Sequence, residues 1–370
     1  MDIKSDTSRL IVLLILIYCI NWGLLLVNFY GVYWDDRVLV GQTFNTLNEL
    51  FISAGFPLLG GFHYILLDIG IYSYRFLCFV AHLVVVICSF LLLKRCPRVF
   101  SSKDAFFIAV LIACIPLNQA RIALITLPYQ VCLAMFMLAW SITVTNFHSQ
   151  KSSYYVLALV LFFVSFITAS LLVFYAVFAF YILLLEVERV KADLNIMGLV
   201  RNSLKKYWLF WILPIVYWAF KSTYLIPSGV YTNYNKFNFE RFITIFGQIH
   251  IKFYETLLRL FDRSISIDNL VFFFLLLGFF TYTFNFLACK DKTRLSSCFL
   301  LVFIGLSVYL IGISPYLLVG KVPSIENWAS MHVLFLGFCF SFFIFGFIFF
   351  MQPITEQTLT LAAICQVSHG

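Results

Sequence analysis

Charged residues are scarce in this sequence. Of its 370 residues, 11% are charged and 62% are apolar, whereas a soluble domain carries about a quarter charged residues. The stretches 270–289 and 333–351 contain no charge at all, and 18 or more uncharged apolar residues can cross a bilayer as a helix. These runs also lack the alternation of a transmembrane β-strand. The sequence therefore excludes a soluble domain and predicts an all-α, polytopic transmembrane helix bundle.

The familiar motifs of soluble enzymes are missing as well. There is no P-loop, GxGxxG, HExxH, GxSxG or CxxC pattern, so nothing predicts a nucleotide site or a zinc site. The net charge of +8 falls mainly in short loops and not on a polar domain, which argues against nucleic-acid binding. Most of the ten cysteines lie in apolar runs, where they act as small apolar side chains: Cys19, Cys78, Cys88, Cys114, Cys132 and Cys339.

The apolar runs predict about ten spans. They cover residues 10–29, 75–93, 104–117, 128–145, 153–167, 169–185, 207–221, 269–288, 296–315 and 331–351. The first run is read as an uncleaved span because it lacks a convincing small-residue cleavage site. We expect one transmembrane domain over residues 1–351, followed by a tail at 352–370.

The distribution of positive residues predicts the orientation. Fifteen of the 25 Lys and Arg residues fall on the side of the N-terminus and ten on the other side. Because cytoplasmic loops are enriched in Lys and Arg, we expect a cytoplasmic N-terminus in a bacterial inner membrane. Two long segments, 30–74 and 221–268, then lie outside. Within the second, residues 239–261 have apolar side chains at helical spacing and charges on the other face, which predicts an amphipathic helix in the outer interface. Residues 66–74 predict a shorter one.

The stretch Tyr33-Trp34-Asp35-Asp36-Arg37 follows the first span directly. Two adjacent carboxylates at a membrane surface repel each other and are incompletely solvated. Such carboxylates can hold a divalent cation, Mg²⁺ or Mn²⁺, or accept a proton from an attacking hydroxyl. The alternative is an ordinary polar loop with interfacial aromatic residues. We predict that Asp35 and Asp36 are catalytic and are candidate metal ligands, with Trp34 and Arg37 as further candidates.

Three outer cations are candidate phosphate-binding residues: Arg121, Lys221 and Lys321. A lone Arg beside an apolar span needs a partner, which a phosphate or the carboxylates at 35 and 36 would supply. Anchoring to lipid headgroups is the alternative for Arg121 and Lys221, and a snorkelling side chain is the alternative for Lys321. Tyr129, shortly after Arg121, is a further candidate. His332 is either a helix-end histidine or a general base.

The first region resembles the GT-C glycosyltransferases, which are integral membrane enzymes that use lipid-linked sugar donors. The resemblance is carried by Trp34-Asp35-Asp36 and by the Gly/Pro turn within Ser53-Ala54-Gly55-Phe56-Pro57-Leu58-Leu59-Gly60-Gly61. This turn lacks the arginine that is usual there. The segment from Ser314 to His332 is similar to a late outer loop of relatives of these enzymes, with Met331 where an arginine is expected.

The resemblance implies transfer of a sugar from a polyprenyl-phosphate carrier to a glycan or lipid acceptor at the outer face of the membrane. An O-antigen or capsule polymerase is an alternative, in which outer-loop arginines such as Arg241, Arg259 and Arg263 would act. A lipid-linked sugar flippase or transporter is another, for which Asp68 and His82 are the nearest candidates for charged residues within spans. No nucleic-acid partner is expected.

Overall fold

The computed structural model describes residues 3–27, 31–97, 99–146, 152–190, 196–232, 236, 239–265, 294–322, 324–325, 330–331 and 334–347. All regular structure in these ranges is helical, and they contain no β-strand. The α-helices are α1 (Ile3–Trp22), α2 (Phe44–Ser53), α3 (Pro57–Ile69), α4 (Ile71–Lys94), α5 (Ser102–Cys114), α6 (Leu127–Thr145), α7 (Ser152–Ser165), α8 (Ala169–Val190), α9 (Ile196–Lys206), α10 (Trp208–Tyr224), α11 (Phe239–Gly247), α12 (Ile249–Ile265), α13 (Arg294–Leu318) and α14 (Leu336–Phe347).

Within the described ranges, five helical stretches are long and apolar enough to cross a membrane, which indicates a membrane-embedded protein. They are Asp6–Leu26, Ile71–Lys94, Leu124–Thr145, Ala169–Glu186 and Phe299–Leu318, and each coincides with a predicted span. The predicted spans 104–117, 153–167, 207–221 and 331–351 correspond to the shorter helices α5, α7, α10 and α14. At 13 residues, α5 is about 20 Å long, less than the roughly 30 Å of a hydrocarbon core. The predicted span 269–288 lies outside the described residues.

The core is built on α4 and α6, which pack along each other, with α5 against α4 and α7 against α6. Residues 105–114 of α5 are buried except for Phe107, so this short helix lies inside the bundle. Aromatic rings fill the space between α6, α7 and α8. Phe162 contacts Phe136 at 5.1 Å and Phe178 at 4.6 Å between ring centroids, and Phe174 stacks on Phe335 at 3.6 Å.

The first of the two long segments, predicted at 30–74, forms a helical hairpin beside this bundle. Helices α2 and α3 pack against each other, and the turn between them requires Gly55, whose φ is +83°. Gly60 lies against the backbone of Asn48, so closely that a Cβ atom would come within 2.6 Å of the Asn48 Cα. Gly70, with φ +115°, ends α3 before α4 begins. The helix predicted at 66–74 is therefore the end of α3 and the start of α4.

The amphipathic stretch predicted at 239–261 is two helices. α11 ends at Gly247 and α12 begins at Ile249. Phe253 packs on Tyr309 of α13 and on Phe340 of α14, with ring centroids at 4.9 and 5.4 Å. The apolar face of this pair therefore packs on protein at least in part, and its position at a membrane interface remains a prediction.

Candidate functional site

The acidic pair lies in a single 3-10 turn, Trp34–Val38, and the turn gives its two carboxylates different surroundings. Asp36 is fully buried. One of its carboxylate oxygens, Oδ2, accepts a hydrogen bond from the Tyr33 backbone N–H at 3.0 Å, and Oδ1 accepts one from the Ile125 N–H at 3.0 Å. Asp36 therefore joins the loop after α1 to the segment before α6, across 89 residues of sequence.

Arg75 supports the same loop from the first turn of α4. Its side chain is 2% exposed, and its Nη2 donates a hydrogen bond to the Gly31 carbonyl oxygen at 2.6 Å. The guanidinium lies 5.6 Å from the centroid of the Tyr33 ring and is close enough to Asp36 for an electrostatic interaction. A buried arginine and a buried aspartate thus fix the loop on both sides of Tyr33.

Asp35 points to a different environment. It lines a cavity of about 480 Å³, within the roughly 300–1,000 Å³ of typical small-molecule sites. Asp35 is exposed and makes no hydrogen bond or ion pair with any described residue. Trp34 beside it has φ +48°, a left-handed conformation that costs a bulky residue roughly 1–2 kcal/mol. The fixed loop maintains this strain, and strain of this kind clusters at functional sites.

The wall of this cavity combines aromatic rings, hydroxyl groups and apolar side chains. Among the predicted candidates, Trp34 and Tyr129 line it with Asp35. The other lining residues are Val38, Leu50, Phe51, Ala54, Phe56, Leu59, Ile125, Thr126, Pro128, Ile167, Thr168, Tyr231 and Met331. Met331, in the late loop that the sequence singled out, thus lies at the same site as the acidic residue of the first loop.

A second cavity of about 410 Å³ adjoins the first and is almost wholly apolar. The two share Phe56, Leu59 and Ile167 as lining residues. The second is otherwise lined by Pro57, Leu58, Phe163, Val164, Tyr217, Phe220, Tyr224 and Leu225. A ligand with a polar head and an apolar tail would therefore find two matching compartments side by side.

The two long segments that the sequence predicts to lie outside contact each other at this site. The Ser228 N–H donates a hydrogen bond to the Ser53 carbonyl oxygen at 2.8 Å, and a Cβ atom on Gly55 would lie 2.9 Å from the Leu225 carbonyl oxygen. Tyr231, three residues after Ser228, reaches the cavity of Asp35. Sequence reasoning missed Tyr231, although the Pro227-Ser228-Gly229 turn before it was a signal that the chain folds back there.

Arg121 does not line the cavity of Asp35. Its side chain is 6% exposed, its Nε donates to the Asn118 carbonyl oxygen at 3.0 Å, and its guanidinium lies 4.2 Å from the centroid of the Trp22 ring. Burial lowers the pKa of this guanidinium from its ordinary value. It faces a separate small chamber together with His82.

Neither of the other two predicted phosphate-binding cations lines the cavity of Asp35. Lys221 is half-buried, on the helical face that carries Tyr217 and Tyr224 of the apolar cavity. It makes no hydrogen bond or ion pair with a described residue. Lys321 follows Gly320 at the end of α13 and lines neither cavity. Arg37 is exposed and lines neither, and His332 lies outside the described residues.

The described residues around Asp35 provide few ligands for a divalent cation. Both oxygens of Asp36 accept backbone N–H groups, which leaves Asp35 as the one carboxylate among the cavity residues that the structure describes. Over the same ranges, no group of three or more His, Cys, Asp or Glu side chains lies close enough to hold a metal. Mg²⁺ and Mn²⁺ prefer several oxygen ligands, and a divalent cation at Asp35 stays a prediction.

Comparisons with family models, curated proteins and solved structures found no match to this chain.

Proposed function

We propose that this protein is an integral membrane glycosyltransferase that moves a sugar from a polyprenyl-phosphate carrier to a glycan or lipid acceptor. The observation that carries the proposal is the Asp35 carboxylate, which pairs with no described residue, in a partly polar, aromatic-lined cavity that adjoins an apolar one. A sugar has a size and polarity suited to the first compartment, and an isoprenoid chain suits the second. Aromatic rings such as Trp34 and Tyr129 offer apolar faces on which a sugar ring packs.

Asp35 acts as the general base. The acceptor hydroxyl oxygen forms a bond to the anomeric carbon of the sugar while the bond from that carbon to the phosphate oxygen breaks. The hydroxyl proton passes to the Asp35 carboxylate, and polyprenyl phosphate leaves with the bonding electrons. Asp36 is a positioning residue in this scheme, because its two backbone hydrogen bonds hold the turn that presents Asp35.

Lys221 is the best placed of the three predicted phosphate-binding cations. It shares a helical face with Tyr217 and Tyr224, since residues three and four apart are neighbours on a helix, and both tyrosines line the apolar compartment. A half-buried ammonium that pairs with none of the described residues favours an anion beside it. Its charge would stabilise the negative charge that develops on the leaving phosphate.

The orientation that the charge distribution predicts supports this assignment. About ten spans with the N-terminus in the cytoplasm would put Asp35, Lys221 and Tyr231 on the outer face of a bacterial inner membrane. Alkaline phosphatase fused after residue 37 or after residue 231 is then active, whereas a fusion after residue 97 is inactive. An active fusion at residue 97 would reverse the orientation.

The decisive variant is Asp35→Asn, with Arg37→Gln as its matched control because Arg37 is exposed in the same turn and lines neither cavity. We expect Asp35→Asn to remove a sugar substituent from the surface glycan of expressing cells, as seen by mass spectrometry, at unchanged protein level. Arg37→Gln keeps the wild-type glycan. A wild-type glycan with Asp35→Asn overturns the proposal. Shortened chains would identify a polymerase, and lipid-linked sugar held at the inner face a flippase.

A further inference from the structure

A small chamber beside Arg121, lined by buried side chains, has no part in the proposed transfer. It measures about 20 Å³, enough for one water-sized particle and far too small for a phosphate ester. His82, Asn118, Arg121 and Gln130 provide its polar wall, and each of these side chains is at most 8% exposed. The remaining wall is apolar: Val85, Ile112, Ile115, Leu117, Leu133, Leu334, Gly337 and Phe338.

Three buried polar atoms at this chamber lack a hydrogen-bond partner within the described part of the chain. They are Arg121 Nη1, His82 Nε2 and Asn118 Oδ1. Native proteins rarely leave one such atom unsatisfied, and three around one space indicate that something occupies it. The two atoms of the Asn118 amide are interchangeable in assignment, so this side chain can present an N–H group. A neutral His82 can present Nε2–H in the same way.

The charge balance decides what the occupant is. Arg121 makes no ion pair with a described residue. Its Trp22 contact and its hydrogen bond to a carbonyl leave its charge without a counterion among the described residues. A buried charge is costly unless it is paired. A water molecule would satisfy the hydrogen bonds but would leave the positive charge of Arg121 uncompensated.

We propose that this chamber binds a monatomic halide ion, chloride in the cell, held by N–H groups of Arg121, Asn118 and His82. The site is independent of the proposed transferase activity. A halide bound there would stabilise the segment from Arg121 to Ile125. The Ile125 N–H in that segment donates the hydrogen bond that holds Asp36. Thr126 and Ser330 fasten the same segment at Ala120, through bonds of 2.6 and 2.8 Å.

The test measures the thermal unfolding midpoint of the purified protein in detergent. Sodium gluconate is exchanged for sodium chloride or bromide at constant ionic strength. We expect a saturable rise of about 2 °C or more with either halide. Arg121→Gln should lose this rise, and Arg37→Gln, which removes an exposed arginine, should keep it.

An equal midpoint in gluconate and chloride overturns the proposal, as does loss of the halide effect in Arg37→Gln. If Arg121→Gln does not fold, the wild-type protein still decides. Crystals grown in bromide should give an anomalous scattering peak in the chamber between Arg121 and His82. Density for water alone there, without an anomalous peak, refutes a halide site.

Discussion

The most direct test of the site separates two neighbouring carboxylates. Asp36→Asn keeps one acceptor oxygen and replaces the other with an NH₂ group that faces a backbone N–H. One of the two 3.0 Å bonds, to Tyr33 or to Ile125, is lost, and hydrogen bonds to charged groups contribute about 1.5–3 kcal/mol each. A buried donor without an acceptor costs about 1–3 kcal/mol more. We therefore expect Asp36→Asn to destabilise the fold by about 3–5 kcal/mol.

Asp35→Asn is the matched comparison, since Asp35 is exposed and makes no hydrogen bond with a described residue. Its free energy of unfolding should change by less than about 0.5 kcal/mol. Stability is measured by thermal unfolding in detergent, and transfer by mass spectrometry of the glycan. Asp35→Asn should be stable and inactive, whereas Asp36→Asn should be unstable.

Equal unfolding midpoints for the two variants would refute the assignment of separate roles. So would a glycan that survives in Asp35→Asn and is lost in Asp36→Asn at wild-type protein level, because Asp36 would then act chemically.

Three further predictions concern the surroundings of the site. Gly55→Ala should destabilise the fold by about 2–4 kcal/mol because it adds a backbone collision at Leu225 to the cost of positive φ. The control Gly41→Ala, at a glycine with φ +79° and open space around it, should cost only about 1 kcal/mol. Equal losses of stability in the two variants would contradict the collision. Burial lowers the pKa of His63 from 6.5 to about 4. The contribution of His63 to stability is therefore full above pH 6.5, and about 3 kcal/mol of it is lost as the pH falls towards 4. The thermal unfolding midpoint of His63→Gln should fall less steeply between pH 7 and 4.5 than that of the wild-type protein. An equally steep fall in both proteins would contradict this role of His63. Lys221→Met should lower kcat for transfer from purified lipid-linked donor by about 10²-fold or more, and Lys221→Arg should recover part of the activity. A lower affinity for the donor at unchanged kcat would make Lys221 a headgroup anchor instead.

Hydropathy was enough to predict much of the fold. Apolar runs predicted the five long helices because crossing a bilayer imposes length and composition together. The stretch at 239–261 has the periodicity of one helix, and the isolated Gly247 was the one local signal of the break at Gln248. The small size of Gly60, by contrast, serves a contact with the backbone of Asn48, which only the packed hairpin reveals.

The site was predictable in part. Adjacent carboxylates after a first span indicated chemistry, but the sequence treats Asp35 and Asp36 alike. They differ because the N–H of Ile125 reaches one of them, and no local pattern encodes a partner so far along the chain. Tyr231 was missed for a similar reason, since a neutral side chain acquires significance here only through the cavity that it closes.

The hydrogen bond between Asp36 and Ile125 also limits how early the site can form during synthesis. A ribosome that adds roughly 5–20 residues per second needs about 5–20 s to make the 89 residues between them. Throughout that interval the Asp36 carboxylate has no Ile125 donor, and Arg75 alone of these two partners can hold the loop after α1. Tyr231 is made later still, so a chain truncated after residue 224 would insert its early helices and yet lack a complete cavity. Assembly of the site is therefore a late event in biogenesis, separate from insertion of the helices that carry it.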